Sequence, residues 1–333
     1  MKSLNRLGAL LLLACSTGDL VLASEPSQPS LKVSGLLQSW YLSDSSATSA
    51  KGNFRVRRAE LRVSGSVAEN TRLSLMLDAA KNLNFTDSTK DSKVLQEVGI
   101  GYSFAQEVEF IAGQFKGLST TEGLDSSSEL LFPERSRIAR KFGDKRKQGA
   151  QLHYRSTGWQ LGAMLSNGGE ANTNDTTTAK ELALRAQADS PVPGLQLAAF
   201  VQARDTRIVK DRDIGTSLRF KRGDALIRGE FITTRTEERF GEGWVVDLGY
   251  QFQEGTLMPT LRYEHIQSDL STDLSASGWT IGVNKFIKNP QIKFQLAYSI
   301  LDNFTGNNGS YEESATSLAK KTRLLIAAYS MAF

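Results

Sequence analysis

From residue 31 to the end of the chain, apolar and polar positions alternate in runs of about ten residues, each followed by a break. Leu73, Leu75, Leu77 and Ala79 stand against Arg72, Ser74, Met76 and Asp78. Trp244, Val246, Leu248, Tyr250 and Phe252 stand against Val245, Asp247, Gly249 and Gln251. In the last run Leu325, Ala327, Tyr329, Met331 and Phe333 share one face. A period of two places successive side chains on opposite faces of a strand. Sixteen such runs are read, near 31–42, 54–66, 71–80, 93–104, 107–116, 147–156, 158–167, 179–189, 194–204, 213–221, 224–235, 242–253, 257–267, 277–287, 290–301 and 321–333. Their length is that of a tilted strand crossing a bilayer, roughly 9–11 residues.

The breaks alternate too. Short turns fall near Ala68-Glu69-Asn70, Ala105-Gln106, Ser156-Thr157-Gly158, Pro191-Val192-Pro193, Arg222-Gly223, Glu254-Gly255 and Asn289-Pro290. Longer loops fall near 43–53, 81–92, 117–146, 168–178, 205–212, 236–241, 268–276 and 302–320. Short turns on one side and long loops on the other mark an outer-membrane barrel, and an even strand number leaves both termini on the short-turn side. Phe104, Tyr154, Trp159, Tyr250, Phe252 and Phe333 fall near short turns, whereas Phe54, Trp244 and Trp279 fall at loop ends. Two aromatic girdles at two membrane interfaces account for that distribution. A soluble sandwich of this strand number would need two domains and gives no reason for the alternating break lengths. The expected fold is all-β: a transmembrane antiparallel β-barrel of about 16 strands, its long third external loop folded toward the lumen.

Composition removes the competing membrane class. The chain has 333 residues and a net charge of +4, with charged residues (23%) spread throughout, so no disordered charged tail stands out. Mean hydropathy is −0.30, and after the first twenty or so residues no apolar run approaches the ~18 residues of a membrane helix. Residues 1–23 read as a secretory signal: Lys2 and Arg6, then the apolar Leu7–Ala14, then Val21-Leu22-Ala23 before Ser24. Leu12-Leu13-Ala14-Cys15 also resembles a lipoprotein box, and this alternative stays open. Cys15 is the only cysteine, so cleavage after Ala23 leaves none for disulfides or thiolate metal sites. Residues 24–30 are a linker with Pro26 and Pro29, and 31–333 form the barrel domain.

Charge on the inward faces indicates a pore. The inferred lumen positions Arg58, Glu60, Arg62, Arg72, Asp78, Glu97, Arg155, Arg185, Arg219, Arg228, Glu230, Arg262, Glu264 and Lys293 are ionic. A charge facing lipid at mid-membrane costs about 2–4 kcal/mol, and a watery lumen avoids that cost. Sixteen strands leave room for an aqueous channel. Stretch 117–147 contains no alternation, and a structureless insert of that length is usually functional or disordered. Its second half carries Arg135, Arg137, Arg140, Lys141, Lys145, Arg146 and Lys147 against Glu134 and Asp144. Rings of Arg and Lys make anion pores. The filter candidates are therefore Arg135 to Lys147, with Lys116 at the loop's root, while the acidic Ser/Thr-rich front, 119–129, is expected to span or pack. Arg58, Arg62 and Arg72 continue the positive wall inward. Those arginines can also simply pair across strands, which leaves a general unselective porin as the alternative.

The sequence resembles the phosphate-selective porin O and P family. The resemblance is carried by FRVRRAELRVSG (Phe54 to Gly65), AGQFKG (Ala112 to Gly117), ELLFPERS (Glu129 to Ser136) and the terminal YSMAF (Tyr329 to Phe333). It implies a sixteen-stranded trimeric porin of the outer membrane whose third loop folds into the pore. It also implies that small anions, phosphate or polyphosphate among them, pass along inward arginines and lysines. The twin arginine Arg57-Arg58 matches the family's pore arginines most directly; Arg72 and Lys116 are looser counterparts. Phe333 matches the terminal residue that barrel-assembly machinery reads. The chain departs from the pattern at Glu60 and in the acidic front of the loop, with Glu122, Asp125 and Glu129.

Other chemistries find little support. The two histidines, His153 and His265, are far apart and outside any catalytic signature, so no enzyme is expected. Gly99 and Gly101 lack the third glycine of a dinucleotide turn, and no cofactor or metal motif is present. No recognition helix or aromatic platform suits nucleic acid. The remaining alternative class is a surface interaction or adhesin barrel with an incidental pore, displaying the polar loop 302–320.

Overall fold

The computed structural model describes residues 29–45, 52–83, 94–169, 171–173, 179–205, 210–236, 240–267, 275–288, 290–305, 312–313 and 321–333. The leader with Cys15, nearly all of the linker and most of loop 302–320 lie outside them. Sixteen strands form the wall: β1 (Ser30–Asp44), β2 (Gly52–Ala68), β3 (Thr71–Asp78), β4 (Leu95–Ser103), β5 (Val108–Lys116), β6 (Arg146–Ser156), β7 (Trp159–Asn167), β8 (Lys180–Asp189), β9 (Leu195–Asp205), β10 (Lys210–Arg222), β11 (Ala225–Arg235), β12 (Phe240–Tyr250), β13 (Leu257–Gln267), β14 (Ala276–Lys288), β15 (Ile292–Asp302) and β18 (Lys321–Ala332). β16 (Phe304–Thr305) and β17 (Glu312–Glu313) make a separate two-stranded ribbon. Each wall strand pairs antiparallel with its sequence neighbours, and β1 pairs β18 to close the barrel. Every alternating run of the sequence is one of these strands. Closure leaves no unpaired edge, as a bilayer requires of a β structure.

The outward face is apolar and open to the surroundings. Ile100 is 60% and Ile281 63% exposed. Large exposed apolar side chains recur on most of the strands, which is unlike a soluble protein's surface and suits lipid. The expected girdles are present as ring pairs. Tyr102–Phe104, Tyr154–Trp159 and Tyr250–Phe252 lie at the short-turn end, and Trp244–Tyr263–Trp279 and Tyr41–Phe54 at the loop end.

One break in the alternation matters for function. β2 carries one more residue than β1 between the pairs Gln38↔Arg58 and Ser39↔Val56. Arg57 is the extra residue of this β-bulge. Without the bulge Arg57 and Arg58 would point to opposite faces; with it both reach the same loop carboxylate inside the barrel.

The inward face is not uniformly polar. Trp40, Ile232, Ile266, Leu301 and Leu324 point inward and are buried. They are covered by the stretch between β5 and β6, which enters the lumen as the third external loop and places Ile138 and Phe142 against them. A second apolar contact sets Leu131 and Phe132 of the loop on Met258, Phe286 and Ala297. The third external loop thus folds into the lumen as expected, and it takes up part of the space otherwise left to water. The loop packs against the arc from β9 through β18 to β1 through these apolar contacts and through buried polar and charged ones, and open space remains beside it.

Candidate functional site

The inserted loop contains three short helical turns, α2 (Thr121–Leu124), a 3-10 turn (Ser127–Glu129) and α3 (Arg137–Phe142); α1 (Ala80–Leu83) lies in the preceding external loop. Each loop turn begins on a hydroxyl cap: Thr120 accepts from Gly123 N, Ser126 from Ser128 N and Ser136 from Ala139 N. This explains the Ser/Thr content of the loop, since such side chains satisfy the free N–H groups of a helix start. Gly143 closes the loop against Thr120, where a Cβ would lie 1.8 Å from Thr120 Oγ1.

Carboxylates bind this loop to the wall, Glu122 and Glu134 foremost, and Asp125 through Arg219 and Arg228. Glu122 Oε1 accepts from Arg262 Nη2 at 2.6 Å and lies 3.3 Å from Arg228 Nη2, while its Oε2 accepts from Ser136 N at 2.9 Å. Arg228, Asp247 and Arg262 are direct cross-strand neighbours on β11, β12 and β13, so Glu122 completes an alternating ladder of charge. Glu134 is the second anchor. It accepts from Arg57 Nε at 2.8 Å and Arg140 Nε at 2.9 Å, with Arg58 Nη2 at 3.4 Å. Burial alone would raise the Glu134 carboxyl, but Arg140, Arg57 and Arg58 together hold it well below the usual carboxylate range. Asp144 is likewise depressed against burial by Arg135, Arg140 and Arg146.

The arginines and lysines singled out in the sequence separate into groups. Arg57, Arg58 and Arg140 converge on Glu134. Arg135 donates to the carbonyls of Glu122 and Asp125, joining the two halves of the loop. Arg137 forms an ion pair with the fully buried Glu264 on β13. Lys141 lies 5.6 Å from the Phe142 ring centroid. Arg62 lies 3.0 Å from Glu97, and the more exposed Arg72 lies 3.7 Å from Glu109. Lys116 donates to the carbonyls of Gly123, Leu124 and Asp125, closing the C-terminal end of α2.

Open space lies beside the loop's front. A cavity of ≈ 820 Å³ runs along the inner wall from β1 to β10 and reaches the short-turn end. Thr121, Leu124, Asp125 and Ser126 to Ser128 line it, so the acidic front half does more than span or pack. From the loop's second half and its exit strand, Arg146 reaches the cavity. Its charged lining is seven basic residues (Lys32, Arg62, Lys116, Arg146, Arg155, Arg185, Arg219) against three acidic ones (Glu60, Glu97, Asp125), an excess of positive charge facing the solute path. His153 lines the same cavity beside Gln151, whereas His265 faces outward beside Trp244; the two histidines do not share a site. Among the described residues no cluster of metal-ligating side chains occurs.

The family model for phosphate-selective porin O and P matches residues 38–223. No curated protein matches the chain. Solved structures with the same fold include an anion-selective porin from Comamonas acidovorans (TM-score 0.65, 12% identity, 92% of this chain and 100% of that chain). OmpT of Vibrio cholerae in its trimer form is also similar (TM-score 0.63, 12% identity, 92% and 100%). So is the outer membrane channel DcaP of Acinetobacter baumannii (TM-score 0.62, 14% identity, 93% and 100%). At such identities the likeness is one of fold.

Proposed function

Since the chain belongs to the phosphate-selective porin O and P family and forms an outer-membrane porin channel, we propose that it passes small anions by passive diffusion. The observation that carries this reading is the seven-to-three excess of basic over acidic side chains on the cavity wall. Several weak cationic sites along a path favour entrance without trapping, because two unit charges 4 Å apart interact by ~1 kcal/mol in water and ~4 kcal/mol at an effective dielectric of 20. In this reading Arg62, Arg146, Arg155, Arg185, Arg219 and Lys116 form the path. The twin arginine Arg57-Arg58, with Arg135, Arg137 and Arg140, fixes the loop that shapes it. Phosphate and polyphosphate fall within the anion class. The family and fold are those of channels rather than enzymes. The working unit is a homotrimer, a reading supported by the trimer form of the similar OmpT of Vibrio cholerae. Phe333, hydrogen-bonded to Gly35 at the seam of β1 and β18 with its ring exposed, is the residue offered to the assembly machinery.

A second reading, the general unselective porin, has one observation in its favour: Glu97, Glu109, Glu134 and Asp144 each pair with more than one arginine. Reconstitution in planar bilayers under a KCl gradient separates the two. A zero-current potential of anion sign supports the proposal, one of cation sign leaves the general porin, and absence of conductance leaves the surface interaction barrel.

A further inference from the structure

The cavity arginines are not equivalent. Arg62 lies 3.0 Å from Glu97, Arg146 lies 3.0 Å from Asp144, Arg155 lies 2.8 Å from Glu109 and Arg219 lies 2.5 Å from Asp125. Each has a carboxylate as counter-charge. Arg185 has none within ion-pair distance among the described residues. Its Nε donates to Ser119 O (3.3 Å), Nη1 to Gln187 Oε1 (3.0 Å) and Nη2 to Thr121 Oγ1 (2.8 Å). Three neutral acceptors fix the guanidinium plane, and the nearest carboxylates, Glu230 and Asp125, act on its charge only from beyond ion-pair distance. Of its five N–H groups, one on each terminal nitrogen stays available for an anion.

The surroundings select among anions. Gly162 stands between Arg185 and His153 in the strand register, and a Cβ there would come 2.9 Å from Leu118. Leu118 of the loop packs into the space that a side chain at Gly162 would take, and so forms an apolar floor next to Arg185 in the register. Gln160 and Gln187 face each other across β7 and β8, and Gln151 and Gln196 line the same wall. Primary amides offer both donors and acceptors, the complement of alcohol groups rather than of a second negative charge. A phosphate dianion calls for more than one free cation, and the neighbouring arginines are committed to carboxylates.

We propose that Arg185, with Thr121 and the glutamine wall, forms an organic-anion subsite in this channel that takes small hydroxylated monocarboxylates, of the hydroxy-acid or sugar-acid class, in preference to inorganic phosphate. The proposal rests on the reading of the cavity as an anion path. The guanidinium takes the carboxylate, and the amides of Gln160 and Gln187 take the hydroxyls.

The test is chloride current through the reconstituted full-length protein, with gluconate, acetate or inorganic phosphate added. Gluconate should reduce the current saturably in the wild type, and acetate and phosphate should act more weakly. Arg185→Gln should bind gluconate roughly tenfold more weakly while the channel still opens, the loss expected for one charge-assisted bidentate contact. Gln187→Leu keeps the charge and should reduce the preference for gluconate over acetate. Reduction by phosphate as strong as that by gluconate overturns the proposal, as does an Arg185→Gln channel that responds to gluconate like the wild type. A wild-type channel of cation sign under a KCl gradient overturns the anion path itself, which is a separate failure.

Discussion

Glu122 and Arg262, 140 residues apart in the chain, meet at 2.6 Å inside the barrel, and both side chains are almost wholly withdrawn from solvent. The pair joins the first helical turn of the inserted loop to the far wall. Breaking a buried ion pair by removing one partner costs about 3–5 kcal/mol, because the other charge is left uncompensated. Glu122→Ala should therefore loosen the loop without opening the wall. The expected result is a noisier channel of higher mean conductance, with the heat-resistant gel mobility of the folded barrel retained. A quiet channel of wild-type conductance would show that the other anchors suffice.

Glu134 receives three guanidiniums, from Arg57, Arg58 and Arg140. Glu134→Gln keeps the shape and removes the neutralising charge. Anion preference should rise, and phosphate should begin to reduce the current, since guanidinium clusters match phosphate oxygens. Single-channel recording before and after phosphate addition measures both effects.

The pH dependence follows from the direction of the loop's carboxyl shifts. Glu134 and Asp144 both titrate below their ordinary values in the folded protein. A carboxyl lowered on folding contributes its full stabilisation above the unfolded value and loses it as pH falls through the folded one. The loop anchors should thus hold from neutral pH down to the ordinary carboxylate range, about pH 4, and weaken only below it. Thermal unfolding followed from pH 7 to pH 2 should show loop-dependent loss confined to the acid end.

The bulge at Arg57 gives a prediction about assembly. Deleting Arg57 removes the extra residue and leaves a regular ladder between β1 and β2. Deleting Leu61 instead inverts every neighbouring side chain on one side of the gap, sending Phe54 or Arg62 to the wrong face. The first variant should fold and the second should not, as judged by heat-modifiable mobility of the membrane-extracted protein.

These relationships explain what the sequence could and could not reveal. The wall was legible because lipid outside and polar contacts inside impose a strict period of two on runs such as Leu73 to Asp78. The position of the inserted loop was legible from the alternation of short and long breaks. Its interior was not. Arg57 and Arg58 reach one carboxylate only because of a bulge that a period-two reading cannot see. Glu122 looked like part of a spacer because its partners, Arg228 and Arg262, lie on distant strands. Arg135 and Arg137 looked like free charge because a charge run does not show which carbonyl or buried carboxylate will meet it. One local signal could have indicated the loop's turns: the caps at Thr120, Ser126 and Ser136 are side chains that favour a helix start.

The central claim is that anion preference arises from the open side of the lumen, not from the arginines that hold the loop. The most direct measurement is the zero-current potential in a KCl gradient for the wild type and for the double variant Arg155→Gln, Arg185→Gln, whose side chains line the cavity. The wild type should give a potential of anion sign and the double variant a clearly smaller one, with single-channel openings preserved. A wild-type potential of cation sign, or a double variant indistinguishable from the wild type, would contradict the account.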